Sequence, residues 1–190
     1  QCGDSWGTAH PGGFPPLAGG GPPVTAPAMF SWRSLPPVFR SLGRWVTAAQ
    51  LLGYTTSLVF VWWTTRLSYA GVGARYRGDE GVETAAAMQF PKSFGEMLTI
   101  THTHLLAMTV VFALSGVSLA LCERITPRWK GWLIAEPFAA LLVSFSAMWL
   151  MRWVDPRFGY LLMASSALLA ITFYAQSLLV LRELGIRDRA

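Results

Sequence analysis

Long uncharged stretches, separated by short polar turns, set the pattern of this chain. Trp45–Thr65, Leu105–Cys122 and Phe158–Leu181 carry no charged side chain, and residues 131–151 carry only Glu136 and, at the end, no other charge. At 1.5 Å per residue, about twenty residues cross the hydrocarbon of a bilayer as a helix. These stretches are apolar around most of their circumference, which suits lipid rather than a soluble core. The pattern predicts helices at about 45–65, 94–122, 131–151 and 158–181. The second has the clearest start: Ser93 followed three residues later by Glu96 has the spacing of a capping box, just after Pro91. The loop at 66–92 is the longest, with Gly71, Gly73, Gly78 and Gly81 among mixed charges, and has room for a short interfacial helix.

The ends differ from the middle. Residues 1–28 are rich in Gly and Pro (HPGGFPPLAGGGPPVTAP), a composition that predicts disorder unless a partner holds it, and Met29 reads as a natural start. The expected fold class is therefore all-α: an integral membrane four-helix bundle at 29–190 behind a disordered or partner-bound tail. Composition agrees, with 53% hydrophobic residues, 13% charged and a mean hydropathy of +0.40. A net charge of +5 and nine tryptophans would also suit a nucleic-acid binder. The basic residues, however, fall at the ends of apolar segments, not along one face, which argues for membrane topology and against nucleic acid. Arg33, Arg40, Arg44, Arg124, Arg128, Lys130, Arg182, Arg187 and Arg189 fall on one predicted side; Arg66, Arg75, Arg77, Lys92, Arg152 and Arg157 fall on the other. The excess places both termini in the cytoplasm.

Chemistry concentrates in the second helix. His102 and His104 lie where it passes from headgroups into hydrocarbon, and an ionisable group there is a functional-site hypothesis by default. At 100° per residue they are about 200° apart and serve different faces. His102 shares a stripe with Gly95, Thr109, Ala113, Gly116 and Ala120, so it is expected to point into the bundle; His104 shares one with Met97, Thr101, Met108 and Ser115. One reading is structural, with the imidazoles bonding neighbouring backbone or reaching the interface. Another is axial ligation of a haem or (bacterio)chlorophyll by His102 or His104, with Met108 as a further ligand; bis-histidine ligation would need a second subunit, since the other three helices contain no His. A third is copper or zinc on His104, Met97 and Met108.

The other intramembrane polar groups fall in two layers. Glu96, Arg152 and Asp155 at the outer ends would form a salt-bridged lid or a polar mouth for a quinone head group. Near the inner ends come Gln50, Gln176 and Glu136, the last expected to be paired with a basic residue of the inner turn or protonated. Small residues four apart (Gly116 and Ala120, Ala140 and Ser144, Ser166 and Ala170) predict close helix packing. No nucleophile elbow, P-loop, HExxH or CxxC is present, so no catalytic residue is assigned and enzymatic activity is not expected.

The segment FPKSFGEMLTITHTHLLAMTVVF, with the IAEPF entry to the third helix and the WVDPRFGYLL turn, resembles a family of small bacterial inner-membrane proteins with four predicted helices. The resemblance covers roughly Arg40 to Leu184, and its most specific part is Thr101–His104. It implies the bundle and marks the histidines, and it transfers no reaction. The leading functional expectation is a non-catalytic accessory subunit of a larger respiratory or photosynthetic membrane complex, in contact with lipids and other subunits. The alternative is a haem- or chlorophyll-binding electron-transfer or light-harvesting protein; a quinone-site or metal-handling protein is the third.

Overall fold

A computed structural model describes residues 30–78 and 90–185, so the Gly/Pro tail, Met29 and the middle of the long loop lie outside the described residues. Five helices follow in order: α1 (Pro37–Thr65), α2 (Tyr69–Arg77), α3 (Phe94–Ala120), α4 (Pro127–Trp153) and α5 (Phe158–Gly185). The molecule is all-helical within those residues. Three helices, α3, α4 and α5, are long and apolar enough to cross a membrane. α1 is 29 residues long but less apolar, because Gln50, Tyr54, Thr55, Thr56 and Ser57 interrupt its middle. It starts at Pro37, ahead of the uncharged stretch, because a proline at the first turn needs no N–H partner and fits helical φ.

α4 and α5 form the most extensive pair, α3 packs on both, and α1 lies mainly along α5. α1 and α3 meet narrowly, and their hydrogen bonds run through Gln50, which donates to the Val111 carbonyl (3.2 Å) and accepts from Ser115 Oγ (3.2 Å). The core divides in two. One cluster joins Phe112, Leu141, Leu169 and Phe173 at mid-depth; the other joins Trp32, Leu119, Cys122, Val180 and Leu184 at one end. Ser144 and Ser165, both buried, bond across α4 and α5 at 2.8 Å where small residues let the helices close.

Trp32 fastens the end near the N-terminal side. It is 6% exposed, its indole donates to the Ser118 carbonyl at 2.8 Å, and its backbone N–H donates to the Leu121 carbonyl. Gly43 makes room for it, since a Cβ there would lie 2.6 Å from the indole. The neighbouring Arg33 pairs with buried Glu183 at 3.2 Å, Arg124 reaches the same carboxylate at 3.7 Å, and Arg44 donates to the Leu184 carbonyl. Lys130 donates to the Ala120 and Cys122 carbonyls, closing the open C-terminus of α3. The segment before α1, the α3–α4 turn and the end of α5 therefore share one end of the bundle.

The opposite end is covered by α2. Ser68 caps it by accepting the Gly71 N–H, and Gly71 sits so close to the Thr65 carbonyl that a Cβ would fall 2.0 Å from its oxygen; only glycine fits. Tyr69 stacks on Tyr160 of α5 (4.3 Å), and Arg77 donates to the Met151 carbonyl of α4 (2.8 Å).

Pro137 lies inside α4 and lacks the N–H that would bond the Leu133 carbonyl. In lipid a freed carbonyl must find another donor. Gln176 of α5 supplies it, its side-chain amide donating to the Leu133 carbonyl.

Three outcomes follow from these contacts. Gln176→Leu should lower stability to unfolding in mixed micelles by about 1–3 kcal/mol, and Pro137→Ala should remove most of that penalty by restoring the N–H; a double-mutant cycle checks it. Trp32→Ala should cost about 3–5 kcal/mol in the same assay. Burial pushes the Cys122 thiol up from 9.0 to about 11, with Glu183 adding to the shift and Lys130 opposing it. Folding thus favours the neutral thiol: its contribution is complete below pH 9 and lost as pH rises toward about 11. In a Cys2→Ser background, alkylation of Cys122 by a maleimide at neutral pH should proceed only after denaturation.

Candidate functional site: two polar layers in the bundle

The Ser93–Glu96 capping box forms as read: Glu96 N–H donates to Ser93 Oγ (3.3 Å) and Ser93 N–H to Glu96 Oε2 (2.8 Å). This box sets where α3 begins, and packing sets its rotation. Its inward side is then defined by Met97, Phe112, Ser115, Gly116 and Leu119, all buried.

That rotation corrects the expected place of His102. The side chain is exposed on the flank of α3, and of its stripe only Gly116 is buried, against Ile134. Large apolar residues on the other stripes, Phe112 and Leu119 above all, hold the inward position because they bury more area. No hydrogen bond among the described residues holds His102. His104 is exposed as well, but its Nδ1 lies 3.0 Å from the Ile100 carbonyl one turn back. With the proton on Nδ1, that bond orients the ring and leaves Nε2 open as an acceptor or ligand. Met108 is half-buried against the mid-depth cluster. Met97 is wholly buried and two turns from His104, about 10 Å along the axis. The set His104, Met97 and Met108 therefore does not converge on one ion, and no cluster of three His, Cys, Asp or Glu exists among the described residues.

The outer layer is corrected too. Glu96, Arg152 and Asp155 do not pair with one another. Glu96 takes Lys92 at 3.0 Å; Arg152 donates to the Lys92 carbonyl at 2.9 Å and lies over Trp153; Asp155 accepts the Arg157 N–H at 2.7 Å. The two carboxylates find partners within a turn, and Arg152 finds its own across the bundle at the start of α3. Lys92 is the hub that the charge pattern did not reveal, since its carbonyl does half the work; its N–H also donates to the Tyr76 carbonyl, tying the loop to α2. Below it, Trp149 Nε1 donates to Thr101 Oγ1 at 2.8 Å, joining α4 to the THTH segment.

The inner layer holds the unusual group. Glu136 is 7% exposed, and neither carboxylate oxygen has a hydrogen-bond partner among the described residues. The expected basic partner from the inner turn is absent because Lys130 is engaged with the end of α3. On α5, Gln176 is 1% exposed; its amide nitrogen is spent on the Leu133 carbonyl, and its Oε1 has no partner among the described residues. Thr47, Gln50, Ser115, Ser118, Gln176 and Ser177 line a polar seam between α1, α3 and α5, where Ser177 Oγ is likewise unpartnered. The signal for this layer was legible in hindsight: a proline four residues after Leu133 frees that carbonyl, and Gln176 is the sole amide of α5.

A helical bundle with three membrane-length apolar helices, ionisable groups other than Glu136 and the histidines kept near its ends, and proline-freed backbone satisfied by a neighbouring helix is a helical membrane protein. Comparison with known families agrees: the Aq_1264_TM family, a transmembrane helical domain, matches residues 66–190, a span that takes in α2 to α5. The chain belongs to that family. No curated protein and no solved structure matches it.

Thr101→Val should remove the α3–α4 bond to Trp149 and cost about 0.6–2 kcal/mol, read as a lower midpoint of unfolding and a red shift of tryptophan emission.

Proposed function

We propose that the chain is a non-catalytic accessory subunit of a larger energy-transducing membrane assembly, respiratory or photosynthetic. In this reading α1, α3, α4 and α5 form a four-helix bundle across the bacterial inner membrane, with both termini in the cytoplasm. The observation that carries it is the outer flank of α3. His102 is exposed there at bilayer depth with no hydrogen bond among the described residues. Hydrocarbon offers an imidazole nothing, whereas a helix of another subunit supplies a partner. Thr103 beside it is likewise exposed with no hydrogen bond among the described residues, whereas other hydroxyls of α1 and α3 make a contrast. Thr56, Ser57, Thr64, Thr99 and Thr109 donate to carbonyls of their own helices and need no neighbour. Exposed Gly95 and Ala113 leave space for a close helix on the same side of α3. The bias of basic residues toward the end that holds Trp32, Lys130 and Leu184 supports the orientation.

A second reading has its own observation. His104, oriented by the Ile100 carbonyl with Nε2 free, has the arrangement of an axial ligand to a haem iron or a chlorophyll magnesium held between this chain and a partner.

Tagged chain extracted from its native membranes in mild detergent should co-migrate with other membrane subunits. His102→Ala should reduce that recovery on the order of threefold to tenfold with the bundle intact. A single monodisperse chain, unaffected by the substitution, would contradict the proposal. For the second reading, the absorption spectrum of the purified assembly should lose a Soret or chlorophyll band in His104→Ala and keep it in His102→Ala.

A further inference from the structure

Neither reading gives a role to the arginines where α1 turns into α2. Arg66 ends α1 with φ 53° and Leu67 follows at φ 50°, two successive residues with side chains in the left-handed region that favours glycine. That conformation at a helix end is usually glycine's. Here the turn holds it, with the Arg66 N–H donating to the Trp62 carbonyl at 2.8 Å and the Ser68 N–H to the Thr65 carbonyl at 3.1 Å. The result is a guanidinium returned over its own helix, its central carbon 5.4 Å from the Trp62 ring centre and 5.3 Å from that of Trp63. Backbone strain that persists points to function.

α2 brings a second cation back to the same place. Arg75 lies over Phe60, 5.3 Å from its ring centre, and Phe60 and Trp63 are one turn apart on α1, so the two cations stand over neighbouring rings. A guanidinium stacked on a ring uses its face and leaves its N–H edge, the edge that holds phosphate in a fork. Arg75 also bonds the Tyr76 side chain, but no carboxylate pairs with Arg66 or Arg75 among the described residues. The inner end differs, since Arg33 and Arg124 there share Glu183.

Below this pair α1 turns its most open side outward. Trp63, Val59 and Leu52 lie on one face and are 66%, 56% and 72% exposed. Thr56, on the same face, donates to the Leu52 carbonyl and asks nothing of a neighbour. From Trp63 down to Leu52 is about 16 Å of helix, one leaflet's share of a hydrocarbon core roughly 30 Å thick. Unpaired cations at headgroup depth above an apolar track of acyl-chain length fit one kind of ligand.

We infer that Arg66 and Arg75 bind the phosphate of one anionic glycerophospholipid, whose acyl chains run down the Trp63, Val59 and Leu52 face of α1. A zwitterionic headgroup suits the pair less, because its ammonium would stand beside two arginines. The site rests on the part of the reading above that sets α1 across the bilayer, and it makes no use of the partner subunit.

The full chain in mild detergent, stripped of lipid and then given phosphatidylglycerol or phosphatidylcholine with matched chains, provides the test. Native mass spectrometry should show one phosphatidylglycerol retained on the order of tenfold more than phosphatidylcholine, and Arg66→Gln should cut that preference about fivefold. Arg157→Gln, which takes the same charge from the same end, should leave it. Phosphatidylglycerol with a photoreactive acyl chain should label the Leu52–Trp63 stretch of the unmodified chain, a readout that needs no variant to fold. Equal retention of both lipids, an equal loss in Arg157→Gln, or labelling spread evenly over all helices would overturn the proposal. So would displacement of the lipid by soluble glycerol phosphate, which would assign the arginines to a free phosphate. Val59→Cys in nanodiscs, in a chain whose two native cysteines are serine, keeps the two failures apart. Reaction with a membrane-impermeant maleimide would take α1 out of lipid and overturn the reading beneath, whereas protection without a phosphatidylglycerol preference would overturn the lipid site alone.

Discussion

The bond from Gln176 to the Leu133 carbonyl is the contact on which the arrangement of the bundle turns. A bilayer tolerates a broken backbone ladder only if another group repairs it. Pro137 breaks the ladder of α4, and the repair comes from α5, so these helices are held in one register at that depth. Their small residues then close on each other, Ser144 meets Ser165 farther along, and α3 and α1 pack on the pair. With its amide nitrogen spent on this bond, Gln176 Oε1 has no partner among the described residues.

The two ends of the bundle are built on different principles. The end holding Trp32 is fastened by burial: an indole under Gly43, a carboxylate between two arginines, and basic side chains on open helix carbonyls. The other end is fastened by backbone and stacking contacts from α2 and Lys92, with arginines resting on tryptophan rings. That end also carries the histidines. The expected lid of Glu96, Arg152 and Asp155 does not assemble because the two carboxylates find partners within a turn, Lys92 and the Arg157 N–H, while Arg152 crosses to the Lys92 carbonyl. On α3, His102 and Thr103 face outward with no hydrogen bond among the described residues, and the proposed partner helix would meet that flank.

Much of this was readable from residue order. Uncharged runs set the long helices, the Ser93–Glu96 spacing set the start of α3, and basic residues at segment ends marked a membrane protein, because span length, capping and charge cost depend only on local sequence. The direction of His102 was not readable. An α-helix in lipid has apolar residues on all sides, so periodicity does not identify the inward face, and a stripe of small residues is as suited to a foreign helix as to a native one. Only packing decided it, through Phe112 and Leu119. Likewise a proline and a glutamine forty residues apart carry no mutual signal until two antiparallel helices bring them level. The chain alone determined that α3, α4 and α5 are long and apolar enough to cross a membrane; the fold decided which polar groups are answered, because a hydrogen bond between helices depends on a register that no single helix contains.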